Sequence, residues 1–535
     1  MSKKEPFPHV LWIAAENGAL KGGKVGGIGD VVCNLPPIMT ELGYRITVLT
    51  PSHGFLHQSG NPVTRHRYAF PFRGYHHEAE IYELGIPDSP PGLRQMVIHH
   101  PLLSALDPST KKHAIYSHDP PERPFFTDAN RFAFFCKAVA AAISQQVLES
   151  VDCIHLHDWH AALVAVLRKF HFEHRDLNKI HTVYSIHNLA FQGIRPLRGD
   201  ESSLEAWFPE MQYDWYGVYD PRWLDNVNPA AAGIRLSDKV HTVSPSYALE
   251  IQEASRKPAY YGGEGLEADL KRAAGEGRLT GILNGCDYPP LQIRSRPDMY
   301  QLLDLLRPRI IRWSGKRDLV KTAHFTAYTG ILEWERRKEY PDVVLTAVCR
   351  VGEQKTMILR ARGSDGRPGI ESLLRLLGDN GLFILLGEGD PDYERFFARI
   401  SAEFDNFIFL NGFSEACADA LYAAGDLFIM PSSFEPCGLS QMLAMRNGQP
   451  CLVHEVGGLK DTIQNGRNGF SFYGETLEAQ VDDFVRAAQK AIDLKQSDPD
   501  NWRRICENAA GSRYTWRDTA RNYLADLYRT GLRYS

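Results

Sequence analysis

The sequence predicts an α/β chain made of two doubly wound domains, each a parallel sheet with helices on both faces. Three observations carry that reading. Short apolar runs without a polar break, such as Leu427–Met430, have the pattern of strands buried on both faces. Several runs end in loops bearing glycine, asparagine or a carboxylate, and these loops open helical stretches. The alternation occurs twice, from Val10 to Leu283 and again from Val343 to His454, and 535 residues are too many for a single core.

Val10–Ala15 reads as the first strand, followed by the glycine-rich loop Gly18–Gly29. A helix then runs from Asp30 through Leu42, Gly43 closes it, and Arg45–Thr50 is the next strand. From Pro51 to about Thr127 the pattern is mixed, with EAEIYEL and RQMVIHH as strands around a proline-rich loop, as an inserted hairpin would give. Asn130–Gln146 is an amphipathic helix leading into the strand Cys153–His157. Helix Ala161–Phe170 and strand Ile180–Ile186 make another unit, and Val240–Val243 and Gly281–Leu283 are further strands. Prolines, arginines and aromatics then mix without a steady period, as an interdomain segment would. The second series of strands is Val343–Val348, Phe383–Leu386, Phe407–Leu410, Leu427–Met430 and Cys451–His454, with helices at Glu475–Leu494 and Thr515–Tyr528. The expected divisions are therefore an N-terminal domain over 1–287, an interdomain segment over 288–340, a C-terminal domain over 341–510, and a last helical segment over 511–535. Two similar halves imply a cleft, a default place for a ligand.

Composition excludes several function classes. Apolar residues make up 43% and charged residues 23%, ordinary for soluble globular chains. A net charge of −5 leaves no basic footprint for nucleic acid or an anionic membrane. The nine cysteines are scattered and never spaced C-x-x-C, which fits a reduced interior better than disulfides or a zinc site. The first residues, MSKKEPFPHVLWIAAENG, hold only a brief apolar run, and no stretch approaches the ~18 apolar residues of a membrane span. The expectation is a soluble, untargeted, cytoplasmic protein.

Six loops carry chemistry. Asp426–Gln441 places Glu435 in a tight strand-to-helix connection, where open parallel sheets bind ligands. Lys24–Asp30, KVGGIGD, follows the first strand; its glycines admit close backbone approach and its lysine is a point charge for phosphate, although a plain βα turn reads the same way. It is neither a G-x-G-x-x-G nor a P-loop pattern. His155–His160, HLHDWH, ends a strand. Its three histidines lack an accompanying metal-ligand pattern, and Asp158 either orients a substrate hydroxyl or caps the next helix. Ser185–Gly193, SIHNLAFQG, is a polar turn in which Asn188 satisfies backbone groups, or part of a site. Arg350–Lys355 sets two cations five residues apart after a buried strand, suited to a pyrophosphate whose charge grows as a bond breaks. Val456–Asp461, VGGLKD, repeats the strand–glycine–helix logic, with N–H groups for a phosphate or a sugar hydroxyl.

Together these motifs resemble the bacterial glycogen synthase and plant starch synthase family. KVGGIGDVV, HLHDWHAAL, SIHNLAFQG, GILNGCD, CRVGEQK, LLGEGD and PSSFEPCGLSQ are similar to seven family elements, in order, from about residue 9 to residue 530. The resemblance implies a GT-B fold: two Rossmann-like doubly wound domains facing a central cleft, with the last helix crossing back to the first. It implies retaining transfer of glucose from a nucleotide-glucose, ADP-glucose favoured, to the non-reducing 4-hydroxyl of an α-1,4-glucan. By the same resemblance Arg350 and Lys355 hold the donor diphosphate, with Lys24, Gly26, Gly27, Gly438, Leu439, Gly457 and Gly458 also on the donor side. Asp158 and His187 serve the transferred glucose and Glu435 is the cleft glutamate. No metal or other cofactor is expected. The alternatives are a GT-B transferase with a small acceptor, or a glucan-binding or regulatory protein with weakened catalysis. The broader retaining group often pairs two acids eight residues apart; here Leu443 stands eight after Glu435, which favours the synthases. Ser433 stands where the family usually carries arginine, Thr356 where it usually carries glycine, and the loop before Lys24 is longer than usual.

Overall fold

The computed structural model describes residues 8–106, 112–288, 298–316, 320–337 and 340–528. The chain divides into two compact units. The first takes residues up to 254 together with 262–285 and the segment from 516 onward, and the second takes 255–261 and 286–515. Among the described residues no helix is long and apolar enough to cross a membrane.

The first unit is built on the strands β1 (His9–Ile13), β2 (Arg45–Pro51), β3 (Asn61–Phe72), β4 (Tyr75–Gly85), β5 (Leu93–His99), β6 (Cys153–His157) and β7 (His181–Ile186). The short pair β8 (Arg195–Pro196) and β9 (Asn226–Val227) stands apart, and β10 (Lys239–Thr242) and β11 (Leu279–Gly281) complete the set. The nine-stranded sheet runs β11-β10-β7-β6-β1-β2-β5-β4-β3. It is parallel from β11 to β5, and β3 and β4 are antiparallel additions at one edge. The inserted hairpin therefore exists, but EAEIYEL pairs with two partners, and the sequence reading missed β3. That strand is mostly exposed and polar at a sheet edge, so it lacks the apolar alternation that marks a strand. A two-residue turn, Arg73–Gly74, with φ of 55° and 76°, links it to β4.

Strand β1 shows how the sheet is covered. Leu11 and Ile13 face a core shared with the helix Phe126–Ser144. Val10 and Trp12 face a second core shared with the helix Gly27–Glu41 and the segment Trp516–Tyr528. That final segment is an α-helix over Trp516–Asn522 and a π-helix over Tyr523–Tyr528. The Tyr528 hydroxyl sits among buried groups, accepting from Trp12 Nε1 at 3.1 Å and lying 2.6 Å from His155 Nδ1. The rest of the expected 511–535 segment, residues 529–535, lies outside the described residues, as do residues 1–7.

The second unit holds β12 (Val343–Val348), β13 (Gly381–Leu386), β14 (Phe407–Leu410), β15 (Leu427–Met430), β16 (Cys451–His454) and β17 (Gly469–Phe472). They form an all-parallel sheet in the order β14-β13-β12-β15-β16-β17, with a separate core on each face. Two sequence-based boundaries give way here. The 288–340 segment is not an irregular connection: it contributes the helices Met299–Ser314 and Thr322–Arg336 to this unit. Leu302, Leu306, Ile310, Ala327, Ile331 and Trp334 recur at helical spacing and are buried in one face's core. Arginines on the outer face and Pro308 inside the first helix hide that period in the sequence. Residues 289–297, 317–319 and 338–339 of the segment lie outside the described residues. The second departure is Ser255–Tyr261, which belongs to the second unit although it falls inside the expected 1–287 domain. Gln480 Nε2 donates to Ala259 O at 2.8 Å and helps hold it there.

Candidate active site

The predicted residues gather at the carboxyl ends of parallel strands, where backbone leaving a buried strand must turn and side chains become available. In the second unit, β15 ends at Met430 and the chain turns through Ser432–Gly438. Glu435 is 5% exposed, and its Oε2 pairs with Lys355 Nζ and accepts from Ser432 Oγ at 3.1 Å. Lys355 sits in the first turn of the helix Glu353–Arg360, which follows β12, the parallel neighbour of β15. The sheet order thus brings together two charges eighty positions apart in the chain.

The Glu435 turn is strapped from three sides. Ser433 N donates to Gln354 O at 2.8 Å, Ser433 Oγ to Glu353 O at 3.3 Å, and Gln354 Nε2 to Phe434 O at 3.2 Å. Tyr261 stacks on Phe434 with ring centroids 4.7 Å apart and donates its hydroxyl to Glu353 Oε1 at 2.7 Å. On the third side, Gly458 N donates to Glu435 O at 3.1 Å. A Cβ on Gly457, whose φ is +42°, would lie 1.9 Å from Glu435 O, and one on Gly458 would lie 2.2 Å from Cys437 O. Both positions must be glycine for the two loops to touch. The sequence reading gave these N–H groups to a ligand; the Gly458 N–H is already used to fix Glu435. Gly438 turns with φ of +79° and Leu439 precedes the helix Ser440–Met445. Thr356 closes its own turn through Oγ1, which donates to Gly352 O at 2.9 Å. Arg350 is exposed just past the end of β12. His454, at the end of β16, lies 3.0 Å from Ser432 O through Nδ1, while its buried Nε2 has no partner. Burial lowers its pKa to about 4, so it is neutral at pH 7.

In the first unit, Asp158 follows β6 and opens the helix Asp158–Phe170 in a left-handed conformation, φ +56°. A non-glycine residue held there is strained, a condition that persists only where surrounding structure enforces it. Its Oδ1 accepts the His187 N–H at 2.7 Å, so the ends of β6 and β7 are tied together through one carboxylate. Of the two readings left open for Asp158, this contact is neither a simple cap nor a ligand contact. Burial raises the Asp158 pKa to about 7, against the lowering pull of the His187 and Asn188 backbone donors. His187 Nε2 lies 2.9 Å from His157 Nδ1, and burial lowers the His187 pKa to about 4. The three histidines of HLHDWH do not converge on a metal. His155 is engaged by Tyr528 and Ser185, His157 by His187, and His160 stacks with Tyr116 and Trp159.

The glycine loop after β1 is organised by a residue the sequence reading missed. Glu16, 2% exposed, accepts the N–H groups of Val25 and Gly26 on Oε2 at 2.8 and 2.7 Å, and the Tyr116 hydroxyl on Oε1 at 2.8 Å. A Cβ on Gly27 would meet nothing within 4 Å, so the start of the helix Gly27–Glu41 stands open. That helix has no side-chain cap, which leaves first-turn N–H groups for an anion. Lys24 is exposed beside it and pairs with Asp30 at 2.5 Å. Glu16, Tyr261 and His454 carry no periodic signal; each is a single residue in a turn or at a strand end.

Comparisons with known proteins give these loops a context. Residues 9–272 match the family described as starch synthase catalytic domain, and residues 370–493 match glycosyl transferases group 1. A glycogen synthase from Streptococcus sanguinis is 32% identical, the alignment covering 97% of this chain and 99% of the relative. One from Bacillus cereus is 30% identical, covering 94% and 95%. Among solved structures, the catalytic domain of starch synthase IV from Arabidopsis thaliana bound to ADP and acarbose aligns with a TM-score of 0.72 at 25% identity, covering 98% of this chain and all (100%) of that one. A sucrose-phosphate synthase from Thermosynechococcus elongatus, at 18% identity and a TM-score of 0.52, shares the fold.

Proposed function

The chain belongs to the glycogen synthase family and is a glycosyltransferase, and from that premise we propose that it moves glucose from ADP-glucose to the non-reducing 4-hydroxyl of an α-1,4-glucan with retention at the anomeric carbon. The observation that carries the reading is the Lys355–Glu435 pair, a cation in the first turn of the helix after β12 and a carboxylate in the turn after β15. ADP-glucose is preferred to UDP-glucose because the Arabidopsis starch synthase domain was solved with ADP.

In this mechanism Arg350 and Lys355 take the donor diphosphate. As the glycosidic bond breaks, negative charge gathers on the leaving phosphate, and each preorganised donor there is worth roughly 3 kcal/mol. Lys24 and the Gly26–Gly27 backbone serve the same phosphates, with Gly438, Leu439, Gly457 and Gly458 shaping the donor side. Asp158 and His187 serve the transferred glucose, whose oxocarbenium-like centre needs negative or dipolar groups. Asp158 draws the backbone N–H of Asn188 as well as that of His187, and the Asn188 N–H shares a peptide unit with the His187 carbonyl, so the direction of that carbonyl dipole is fixed. Glu435 supplies the remaining carboxylate. Cationic side chains provide the charge a metal ion supplies elsewhere, so the reading includes no metal and no cofactor besides the donor substrate. It includes a cytoplasmic location.

The test is purified protein with ADP-glucose or UDP-glucose, with and without glycogen, following nucleotide release and label in polymer. Nucleotide release that depends on glycogen and is fastest with ADP-glucose is expected. Release from neither donor, with glycogen still bound, would sink the enzymatic reading.

A further inference from the structure

Tyr261 touches both loops of the Lys355–Glu435 pair and belongs to neither. The residue is 8% exposed, its hydroxyl donates to Glu353 Oε1 at 2.7 Å, and its ring lies against Phe434 with centroids 4.7 Å apart and planes 30° from parallel. Glu353 opens the helix that carries Lys355 two residues on, and Phe434 directly precedes Glu435. The two contacts therefore reach the cation's loop and the carboxylate's loop by different atoms of one side chain.

The tyrosine is itself held from behind. It ends the segment Ser255–Tyr261, which belongs to the second unit although the residues before and after it belong to the first. That segment closes on itself, Arg256 N donating to Tyr260 O at 2.9 Å and Tyr260 N to Arg256 O at 3.1 Å. Gln480, 1% exposed on the helix Leu477–Ser497, donates from Nε2 to Ala259 O at 2.8 Å and to Gly474 O at 2.9 Å. Lys257 Nζ stands 5.3 Å from the centre of the Tyr261 ring, a cation over its face.

The pair needs such a brace. Lys355 reaches Glu435 on a long flexible stem, and Glu353 is an exposed carboxylate that a helix N-terminus attracts without aiming. The contacts made by Ser433 and Gln354 set the spacing of the two main chains. A ring stack fixes a plane and a hydrogen bond to a carboxylate fixes a direction, so Tyr261 sets the tilt of one loop against the other. We propose that Tyr261 is a positioning residue for glucosyl transfer, aligning the start of the Lys355 helix through its hydroxyl and the Glu435 turn through its ring; this rests on the reading that the pair serves the nucleotide-sugar donor. The hydroxyl acts on the phosphate side through Glu353 and Lys355, so its loss shows first in donor binding. The ring acts on the carboxylate side through Phe434 and Glu435, so its loss shows in turnover as well. Tyr261 itself touches no substrate and moves no proton.

The test compares Tyr261→Phe, Tyr261→Leu, Glu353→Ala and Glu353→Gln in the full chain, reading ADP affinity by calorimetry and the donor and glycogen kinetics separately. Tyr261→Phe should weaken ADP binding and raise the KM for ADP-glucose about fivefold, with a smaller fall in kcat. Tyr261→Leu should in addition lower kcat by about thirtyfold or more, and the KM for glycogen should stay within about twofold in both. Glu353→Ala should reproduce Tyr261→Phe, Glu353→Gln should lose less because it keeps an oxygen acceptor, and the double variant Tyr261→Phe/Glu353→Ala should add nothing further. Unchanged ADP affinity and donor KM in Tyr261→Phe, additive losses in the double variant, or donor and glycogen constants moving together would each overturn the proposal. Thermal unfolding checks the fold; Tyr261→Phe keeps the ring and Glu353→Ala alters an exposed side chain, so these two carry the test if Tyr261→Leu does not fold. An active wild type matched by Tyr261→Phe refutes this inference alone. A wild type that neither turns over nor binds ADP refutes the reading beneath it, and this inference with it.

Discussion

Replacing Asp158 by asparagine separates its hydrogen bond from its charge. The amide oxygen still accepts the His187 N–H, now at 2.7 Å from the carboxylate, while the titration is gone. In the fold the carboxyl ionises at about 7 instead of the ordinary 3.8. The folded chain therefore holds this proton more tightly than the unfolded chain. The resulting contribution to stability is fully present below about pH 4 and is lost as pH rises through about 7. The gap, at about 1.36 kcal/mol per pH unit, amounts to roughly 4 kcal/mol in all, of which about 3 kcal/mol falls between pH 5 and 8. Urea denaturation of the wild type and Asp158→Asn across that range should therefore diverge, the wild type losing about 3 kcal/mol relative to the variant. In kinetics, wild-type kcat should climb through about pH 7 as the carboxylate forms, and the variant should lack that limb. Parallel stability curves, offset by a constant amount, would refute the raised ionisation and the role built on it.

Other variants address the remaining loops. Glu435→Ala should lower kcat by about a hundredfold or more while ADP affinity, read by calorimetry, changes little; near-wild-type turnover would remove Glu435 from the chemistry. Gly457→Ala forces a Cβ to within 1.9 Å of Glu435 O and should cost more than about 3 kcal/mol in denaturation. The control Gly466→Ala has φ of +73° but open space around it, and should cost only about 1–2 kcal/mol; equal losses would mean backbone strain alone explains both. Tyr528→Phe strips a hydroxyl from between Trp12 Nε1 and His155 Nδ1 and should destabilise the chain by about 2 kcal/mol, measured by thermal unfolding. A loss below about 0.5 kcal/mol would show the two nitrogens finding other partners.

The strands that hold the site were legible because burial on both faces leaves only one kind of sequence. Phe428 and Met430 enter one core and Leu427 and Ile429 the other, so all four positions of β15 had to be apolar. The loops were legible for a related reason: a carboxylate or lysine directly after such a run has nowhere to go but the strand's carboxyl end. Glu16 was not legible, since its meaning depends on receiving two N–H groups from Val25 and Gly26, nine and ten residues on. Tyr261 was harder still, because a segment of the first half of the chain is built into the second unit. Where the helix Met299–Ser314 was read as a connection, charge on the exposed face outweighed a buried stripe only a few residues wide.

Ser433 shows what the structure adds to a motif. In the family pattern its place is usually arginine, and a cation absent from a phosphate site weakens the case for transfer if nothing replaces its positional work. Here Ser433 is 2% exposed and spends both its N–H and its hydroxyl on the backbone of Gln354 and Glu353. Those two residues directly precede Lys355, so the same contacts that seat the Glu435 turn also seat the lysine. Tyr261 holds Glu353 from the other side, and the Gly458 N–H holds Glu435 O. The cation and carboxylate are thereby fixed by neutral contacts that salt does not screen. In the proposed reaction Arg350 and Lys355 supply this unit's charge for a departing diphosphate, and Lys355 is already matched by Glu435 before any anion arrives. A bound diphosphate must compete with that carboxylate, so the proposed site gains cationic charge only as Lys355 turns from Glu435 towards phosphate. The same turn leaves Glu435 with only the Ser432 hydroxyl on Oε2, which raises its negative character when the sugar centre becomes positive.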